Sequence, residues 1–332
     1  MNLIIPMAGR GTRLRPHTLT TPKPLIPIAG KPIVQRLVED IGNMLDEPME
    51  NIGFVIGDFG QEVEDQLLKI AQTAGAKGHI FYQEEALGTA HAVHCAESIL
   101  TGPSIVAFAD TLFRASFKLD AAGDGTIWVK QIADPSAFGV VTVRDGIIDG
   151  FVEKPKEPVS DLAIIGIYYF KDGDRLKAQL NHIIEQDLRS GGEYQLTLAL
   201  EHLKLEGVKF TPGTVDDWLD CGNKEVTVQS NSRYLDFIGE NRIADSASVE
   251  GCVIHAPVFI GEQSRIKDSI IGPHVSIGAF SDINCCVIKE SLIQNNVCLN
   301  NVNLINSMVG NSVKMEANPA DVNLGDFTEW KG

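Results

Sequence analysis

Apolar runs alternate with helically spaced apolar residues through the first third of the chain. The runs at residues 3–7, 52–56 and 105–109 predict buried strands, and a further strand is predicted to end at Tyr82. Apolar residues at helical spacing predict helices at about 32–45, through 63–70 and from near Gly88. Strands and helices that alternate over short connections predict an α/β fold, a doubly wound Rossmann-like sheet that gathers ligands at the carboxyl ends of its strands.

The middle of the chain continues this domain with more strands. Residues 126–131, 138–143, 147–152, 164–170 and 218–220 are strand-like, and residues 175–188, 196–205 and 224–238 have helical spacing. We expect this first domain to occupy residues 1–239.

A hexapeptide repeat follows. Aliphatic residues recur five or six positions apart, at Val249, Ile254, Ile260, Ile266, Ile271, Ile277, Ile283, Ile288, Ile293, Leu299 and Leu304. Such a period is typical of a parallel β-helix, in which each short strand buries its aliphatic residue only by stacking on the coil below. The pattern predicts about four triangular coils over residues 240–316. The tail, residues 317–332, has no period, and we expect Trp330 to pack on a coil or on a neighbouring subunit.

Composition limits the classes of partner and compartment. The 332 residues carry a net charge of -16, which argues against a nucleic-acid polymer as partner. No apolar run reaches the length of a membrane span and no signal peptide is recognisable, so we expect a soluble, cytoplasmic protein without a membrane partner. The six cysteines lack CxxC spacing, and we expect reduced, mostly buried thiols.

A cationic, glycine-rich loop follows the first predicted strand. Small residues at Ala8, Gly9 and Gly11 let main-chain amides approach a ligand closely, and Arg13 and Lys23 add full positive charges. The loop has neither the lysine of a P-loop nor the glycine spacing of a Rossmann dinucleotide fingerprint. It is therefore interpreted as a different kind of polyphosphate site. The alternative is a strand-to-helix turn with solvated arginines.

Two aspartates at predicted strand ends are candidate metal ligands. Asp110 ends an apolar strand, and Asp220 lies in the segment WLDCG. Magnesium prefers such carboxylate oxygens and completes its shell with phosphates and water. Asp216 shares a face with Asp220 if this segment is extended, and one of the two could meet Asp110. A capping or surface role is the alternative for each aspartate.

These features together resemble the sugar-1-phosphate nucleotidylyltransferases, in the form with a C-terminal left-handed β-helix. The resemblance covers nearly the whole chain and rests on AGRGTRLRP with TTPKPLIPIAGKP, ALGTAHAV, FAD, FGVV, VEKP, IIGIYYF, GEYQLT and WLDCG, in that order. It implies a fold in which a Rossmann-like nucleotidyltransferase domain precedes the β-helix.

The resemblance also implies roles for individual residues. The nucleotide would be bound by Ala8, Gly9, Arg10, Gly11, Thr12, Gln83, Gly88 and Thr89, with Gln83 and Gly88 on the base. The sugar-phosphate pocket would be lined by Gly139, Glu153, Lys154 and Gly166. Catalysis would depend on Arg13, Lys23, Asp110, Lys154 and Asp220, and the two aspartates would bind Mg²⁺.

The implied reaction is magnesium-dependent transfer of a nucleotidyl group to a sugar-1-phosphate, with glucose-1-phosphate as the expected acceptor, and release of pyrophosphate. The AGRG loop is one residue shorter than the form common among thymidylyltransferases and closer to that of uridylyltransferases, so dTTP and UTP both remain candidates. A bifunctional enzyme that also acetylates an amino-sugar phosphate, with His255 or His274 as base, is one alternative. A non-catalytic regulatory homologue is another. We expect the β-helix to mediate homo-oligomerisation.

Overall fold

The computed structural model describes residues 1–9, 11–115 and 118–318, and the chain forms two compact units. The first comprises Met1–Ile26 and Lys31–Asn223, and the second comprises Pro27–Gly30 and the chain from Lys224 onward. The two units therefore divide after Asn223. The boundary predicted from the sequence was residue 239, which included the predicted helix at 224–238 in the first domain. The predicted Trp330 contact lies outside the described residues.

Among the described residues up to Asn223, the elements are thirteen strands, five helices and four short 3-10 turns. The strands are β1 (Asn2–Pro6), β2 (Pro27–Ile28), β3 (Lys31–Pro32), β4 (Asn51–Ile56), β5 (Lys77–Tyr82), β6 (Ser104–Ala107), β7 (Thr111–Arg114), β8 (Gly125–Gln131), β9 (Gly139–Arg144), β10 (Ile147–Glu153), β11 (Leu162–Phe170), β12 (Phe210–Thr214) and β13 (Asp217–Asp220). The helices are α1 (Ile33–Met44), α2 (Gln61–Thr73), α3 (Thr89–His94), α4 (Gly173–Glu185) and α5 (Leu196–Leu205). The 3-10 turns are Thr12–Leu14, His17–Leu19, Lys23–Leu25 and Glu97–Ile99.

A nine-stranded mixed sheet forms the centre of the first unit. Its main path runs β10-β9-β11-β6-β1-β4-β5, and β8 joins β11 to β12. Strands β6, β1, β4 and β5 are parallel, as the alternating strands and helices predict. Strand β11 is antiparallel to β6, β8 and β9, so the second half of the sheet departs from a purely parallel arrangement. Because the parallel strands share one direction, the segments after β1, β5 and β6 meet at one edge.

Burial explains why these segments form these elements. All five residues of β1 are buried, as expected for a central parallel strand covered on both faces. Helix α1 buries one face through Val34, Leu37, Val38 and Ile41. At the start of α4, the Asp172 carboxylate accepts hydrogen bonds from the amides of Asp174 and Arg175 at 3.1 and 3.2 Å, which caps the helix.

The second unit is a parallel β-helix preceded by helix α6 (Lys224–Ile238). Its strands are β14 (Arg242–Ile243), β15 (Ser248–Glu250), β16 (Val253–Ile254), β17 (Val258–Ile260), β18 (Arg265–Lys267), β19 (Ile270–Ile271), β20 (Val275–Ile277), β21 (Asp282–Asn284), β22 (Val287–Lys289), β23 (Ser291–Ile293), β24 (Cys298–Asn300), β25 (Asn303–Ile305), β26 (Met308–Val309) and β27 (Lys314–Glu316). They form three parallel sheets, with the orders β14-β17-β20-β23-β26, β15-β18-β21-β24-β27 and β16-β19-β22-β25.

The repeat residues stack as predicted. Ile266 pairs with Ile283, which pairs with Leu299, so each coil places one aliphatic residue on the next. The aliphatic repeat positions belong to one core cluster. Each complete coil contributes one strand to each of the three sheets. Sheets of five, five and four strands therefore correspond to four complete coils and part of a fifth in the described residues. The predicted fold class, a Rossmann-like domain followed by a β-helix, is confirmed.

Helix α6 packs on the β-helix through a buried amide. The Asn231 Oδ1 atom accepts hydrogen bonds from the Ser276 hydroxyl at 2.7 Å and from the Ala29 amide at 2.9 Å. These contacts join α6, strand β20 and the segment at residues 27–30, which explains why they share a compact unit.

The cysteines differ in part from the expectation. They are free thiols, but only Cys221 and Cys286 are buried, while Cys285 and Cys298 are exposed. The prediction of mostly buried cysteines was wrong because outward positions on the β-helix also carry cysteine. In the described part of the chain, no helix has the length and apolar character needed to cross a membrane.

Candidate active site

The loop after β1 is shaped by a left-handed glycine. Gly11 has φ 57°, and its carbonyl accepts hydrogen bonds from the Leu14 amide at 3.0 Å and the Thr18 hydroxyl at 2.7 Å. A β-carbon at this position would lie 3.0 Å from the Lys23 β-carbon, so glycine also allows Lys23 to approach the loop. Leu14 is buried and anchors the turn that carries Arg13. The predicted nucleotide contact of Arg10 lies outside the described residues.

Lys23 connects this loop with the end of β6. Its side chain is only 9% exposed, and its ammonium lies 3.2 Å from Asp110 Oδ2. A charge buried to this degree needs a partner, and the Asp110 carboxylate provides one. The structure therefore brings together a predicted phosphate ligand and a predicted metal ligand.

Asp220 is placed beside Asp110 by a small antiparallel sheet. Strand β13 pairs with β7 so that Asp220 lies opposite Thr111, and the Cys221 amide donates to the Asp110 carbonyl at 3.1 Å. Burial and the Asp110 carboxylate raise the pKa of Asp220, although Lys23, the Gly222 amide and Arg13 act in the opposite direction. A buried carboxylate beside a second carboxylate fits a divalent cation, which would neutralise the repulsion between the two.

A cavity of about 390 Å³ opens beside the glycine-rich loop. It is lined by most of the predicted nucleotide ligands, namely Ala8, Gly9, Gly11, Thr12, Gln83, Gly88 and Thr89, together with Arg13, Lys23 and Asp110. These residues come from the ends of β1, β5 and β6, which the parallel sheet brings to one edge. We call this the first cavity.

Gly88 and Gln83 form one side of the first cavity. The Gln83 amide donates to the Gly88 carbonyl at 3.2 Å, which fixes the direction of the Gln83 side chain. Gly88 has φ 119°, and a β-carbon there would lie 2.5 Å from the Tyr194 carbonyl oxygen. Two features therefore require glycine at position 88, namely the positive φ and the lack of space for a β-carbon.

A second cavity, of about 270 Å³, contains the predicted sugar-phosphate residues Gly139, Glu153 and Gly166. Its wall also includes Arg13, Thr89, Phe108, Asp110 and Asp220. Four of these residues, Arg13, Thr89, Phe108 and Asp110, line the first cavity as well. A cation and a carboxylate thus stand where the two cavities meet.

Lys154 is the one predicted site residue in the described chain that lines neither cavity. It follows Glu153 with φ 44°, its side chain is 61% exposed, and its ammonium lies 3.8 Å from Glu153 Oε1. Lys154 is therefore an exposed neighbour of Glu153, which lines the second cavity, and is not itself part of the wall. Its role stays a prediction.

Sequence reasoning missed several residues of the cavity walls. Glu193 lines the first cavity, and Tyr168, Gln195, Thr197 and Trp218 line the second. The Thr197 hydroxyl lies 3.4 Å from Glu153 Oε2, and the Trp218 indole donates to the Thr111 hydroxyl at 2.9 Å. All five belong to the quoted segments GEYQLT, IIGIYYF and WLDCG, so their positions in those motifs were a usable signal.

The family model described as nucleotidyl transferase matches residues 3–236. The chain belongs to the nucleotidyl transferase family. Two curated relatives agree with this membership. A glucose-1-phosphate thymidylyltransferase of Streptomyces antibioticus is 30% identical, over 95% of this chain and 93% of that protein. The bifunctional protein GlmU of Methanococcus maripaludis is 34% identical over 76% of this chain, which spans 60% of that protein.

The fold of this nucleotidyl transferase is also found among solved structures. A UDP-glucose pyrophosphorylase complexed with UDP-glucose superposes with a TM-score of 0.56 at 23% identity, over 71% of this chain and 98% of that one. This likeness concerns the fold alone. The family match and the two curated relatives confirm the resemblance to sugar-1-phosphate nucleotidylyltransferases.

Proposed function

We propose that this nucleotidyl transferase transfers a nucleotidyl group from a nucleoside triphosphate to a hexose-1-phosphate, namely glucose-1-phosphate, and releases pyrophosphate. The observation that carries the proposal is the pair of cavities that share Arg13 and Asp110. One cavity has the amide-rich loop suited to a triphosphate, and the other has carboxylate and hydroxyl groups suited to a sugar.

The reaction that fits this arrangement is an in-line displacement at phosphorus. An oxygen of the sugar phosphate attacks the α-phosphorus of the triphosphate, and pyrophosphate leaves with the electrons of the broken bond. The attacking oxygen is already an anion, so no general base is required. The chain needs to align two phosphates and to reduce their repulsion. Arg13 at the junction and Lys23 beside Asp110 are placed to do this.

Asp110 and Asp220 would hold Mg²⁺, which supplies positive charge to the phosphate oxygens when it is bound. The raised pKa of Asp220 supports this assignment, because a bound cation would offset the burial and the repulsion from Asp110 that raise it. Asp220 Oδ1 accepts a hydrogen bond from the Gly222 amide at 2.8 Å, which orients the carboxylate. Such supporting contacts are common around metal ligands.

The base is proposed to be thymine or uracil. One relative is named for thymidylyl transfer, and the solved neighbour is complexed with UDP-glucose. The Gln83 amide already donates to the Gly88 carbonyl, so the Gln83 carbonyl oxygen is the group that remains to accept a hydrogen bond from a base N–H. Both pyrimidine bases have such an N–H, which is why we propose dTTP or UTP without choosing between them.

We further propose that the protein acts as a homo-oligomer that associates through the β-helix. On one sheet, Val253, Ile270 and Val287 are register partners and point outward. They form an exposed aliphatic ladder on strands β16, β19 and β22. A second copy would present the same ladder, so the two could pack on each other.

A pyrophosphate-release screen tests the proposed reaction directly. The protein would be incubated with Mg²⁺ and each pairing of dTTP, UTP, ATP, CTP and GTP with glucose-, galactose-, mannose- and N-acetylglucosamine-1-phosphate. We expect turnover with dTTP or UTP and glucose-1-phosphate, and this turnover should require both substrates. Pyrophosphate release that is independent of every sugar phosphate would contradict the proposal.

The bifunctional alternative would require a base in the β-helix. His255 is exposed on the repeat, and His274 Nε2 lies 2.7 Å from Asp236 Oδ1. Acetyl transfer from acetyl-CoA to glucosamine-1-phosphate is the direct assay. We expect none, because His255 is exposed to solvent and the His274 Nε2 atom is already hydrogen-bonded to Asp236.

A further inference from the structure

A compact polar cluster lies behind the wall of the first cavity. The Tyr194 hydroxyl donates to Asp187 Oδ1 at 2.6 Å and accepts from Arg189 Nη2 at 2.9 Å. Arg189 Nε also donates to Asp187 Oδ1 at 2.7 Å, and its guanidinium lies 4.4 Å from the centre of the Tyr194 ring. One tyrosine side chain is thus held by two hydrogen bonds and by stacking.

The backbone of Tyr194 is fixed to the nucleotide side of the site. Its amide donates to the Leu87 carbonyl at 2.8 Å, and its carbonyl accepts from the Ala90 amide at 2.8 Å. These two bonds flank Gly88, whose missing β-carbon leaves the space that the Tyr194 backbone fills. The position of Tyr194 therefore sets the position of residues 87–90.

The residues on either side of Tyr194 face different cavities. Glu193 lines the first cavity, whereas Gln195 and Thr197 line the second. Thr89, which lines both cavities, accepts a hydrogen bond from the Leu196 amide at 2.9 Å and donates to Gln195 Oε1 at 3.2 Å. Residues 193–197 thus form a wall shared by the two cavities. Tyr194 joins this wall to residues 87–90 through its backbone and to Asp187 and Arg189 through its side chain.

We propose that Tyr194, held by Asp187 and Arg189, is a positioning residue for nucleotidyl transfer. It fixes the shared wall, residues 193–197, so that the triphosphate and sugar-phosphate cavities keep one relative geometry. Tyr194 touches neither cavity itself and acts through Glu193, Gln195 and Thr89. The inference rests on the proposed function for its kinetic readout, but its binding readout does not require turnover.

Tyr194→Phe removes the hydroxyl and keeps the ring. We expect the KM for the triphosphate and the KM for the sugar phosphate each to rise about fivefold, with kcat changed less than about twofold, because both walls shift while the reacting charges remain. The matched control is Tyr169→Phe, which deletes another buried tyrosine hydroxyl, one that donates to the Ala121 carbonyl at 3.2 Å. Unchanged KM values in Tyr194→Phe, with a loss of thermal stability like that of the control, would overturn the proposal.

Arg189→Ala tests the same positioning role by removing the guanidinium that holds the Tyr194 hydroxyl. Arg189 is partly exposed, so this change should disturb folding less than a change in the core. We expect its KM changes to have the same direction as those of Tyr194→Phe, and Arg189→Lys to recover part of the loss. Calorimetric binding of dTTP and UTP to each variant, without any sugar phosphate, provides the independent readout. Weaker binding of these nucleotides to Tyr194→Phe and Arg189→Ala than to the wild type would support the positioning role even if the screen shows no turnover. Equal binding by all variants would overturn it.

Discussion

At the scale of single residues, the site holds two neighbouring carboxylates that repel each other, Asp110 and Asp220. It also holds a lysine ammonium, Lys23, that offsets part of this repulsion. Burial and Asp110 raise the pKa of Asp220, so the ionised pair is unfavourable without nearby positive charge. Lys23 supplies part of that charge from 3.2 Å. This arrangement agrees with the proposed cation site, because stability alone would favour a neutral side chain at position 220.

Asp220→Asn should therefore separate stability from activity. Without divalent cations, we expect the thermal midpoint to rise by roughly 1–2 °C, because the variant removes repulsion between two carboxylates. With Mg²⁺ and both substrates, we expect pyrophosphate release to fall at least about a hundredfold. Calorimetric scans in EDTA and the coupled pyrophosphate assay measure the two effects. A midpoint that drops while turnover is retained would exclude the proposed metal role of Asp220.

Lys154→Ala should affect the sugar phosphate more than the nucleotide. The Lys154 ammonium stands beside Glu153, which lines the second cavity only. We expect the KM for the sugar-1-phosphate to rise about tenfold and the KM for the triphosphate to change less than about twofold. Steady-state kinetics with each substrate varied in turn provide the test, with Lys171→Ala as a surface control. Equal losses for both substrates would count against this placement.

At the scale of elements, the turn between β5 and α3 is constrained both by its backbone and by its surroundings. Gly88 combines a positive φ with a β-carbon direction that points into the Tyr194 backbone. Gly75 also has a positive φ, of 77°, but a β-carbon there would meet nothing within 4 Å. Alanine variants at Gly75 and Gly88 therefore separate the free-energy cost of backbone strain from that of steric crowding.

Gly88→Ala should be much more damaging than Gly75→Ala. We expect Gly75→Ala to lower the free energy of unfolding by about 1–2 kcal/mol through backbone strain alone. Gly88→Ala should cost at least about 1 kcal/mol more and should raise the KM for the triphosphate by an order of magnitude or more, because residues 87–90 must move. Urea unfolding and nucleotide kinetics provide the measurements. Similar results for the two variants would contradict the crowding that the structure shows.

The sequence predicted most elements but fewer of their non-local pairings. Helices α5 and α6 have the predicted bounds, because apolar spacing is a local signal. Strand β7 was missed because it is short, and its pairing with β13 joins segments far apart in the chain.

Contacts between distant segments also limited the prediction of the site. Arg13, Lys23 and Asp110 could be proposed from charge and position. Gln195 and Thr197 lie in the quoted motif GEYQLT, but their place in the wall beside Thr89 depends on a contact between segments far apart in the chain.

At the scale of the whole molecule, a mixed sheet supplies the proposed chemistry and a β-helix follows it in the chain. The β-helix repeat was predictable because an aliphatic residue every five or six positions has few alternative explanations. Its outward aliphatic ladder could not be predicted from the repeat, because the outward positions are free of the periodic constraint.

Charge on that ladder should change the oligomeric state. We expect the wild-type protein to elute with the mass of an oligomer in light scattering, and Ile270→Lys with Val287→Lys to shift it toward monomer. The exposed, charged Arg265 and Lys267 lie on a neighbouring sheet, so Lys267→Glu serves as a charge control. A wild-type protein that is strictly monomeric would refute self-association through the β-helix.

The most direct test of the central claim is pyrophosphate release by Asp110→Asn, because Asp110 stands where the two cavities meet. The comparison would use the substrate pair identified by the screen, with saturating Mg²⁺, and Asp65→Asn on helix α2 as a surface control. Our account predicts that Asp110→Asn loses at least about a hundredfold in turnover with its fold intact by circular dichroism, while Asp65→Asn retains wild-type activity. Near-normal pyrophosphate release by Asp110→Asn would contradict it.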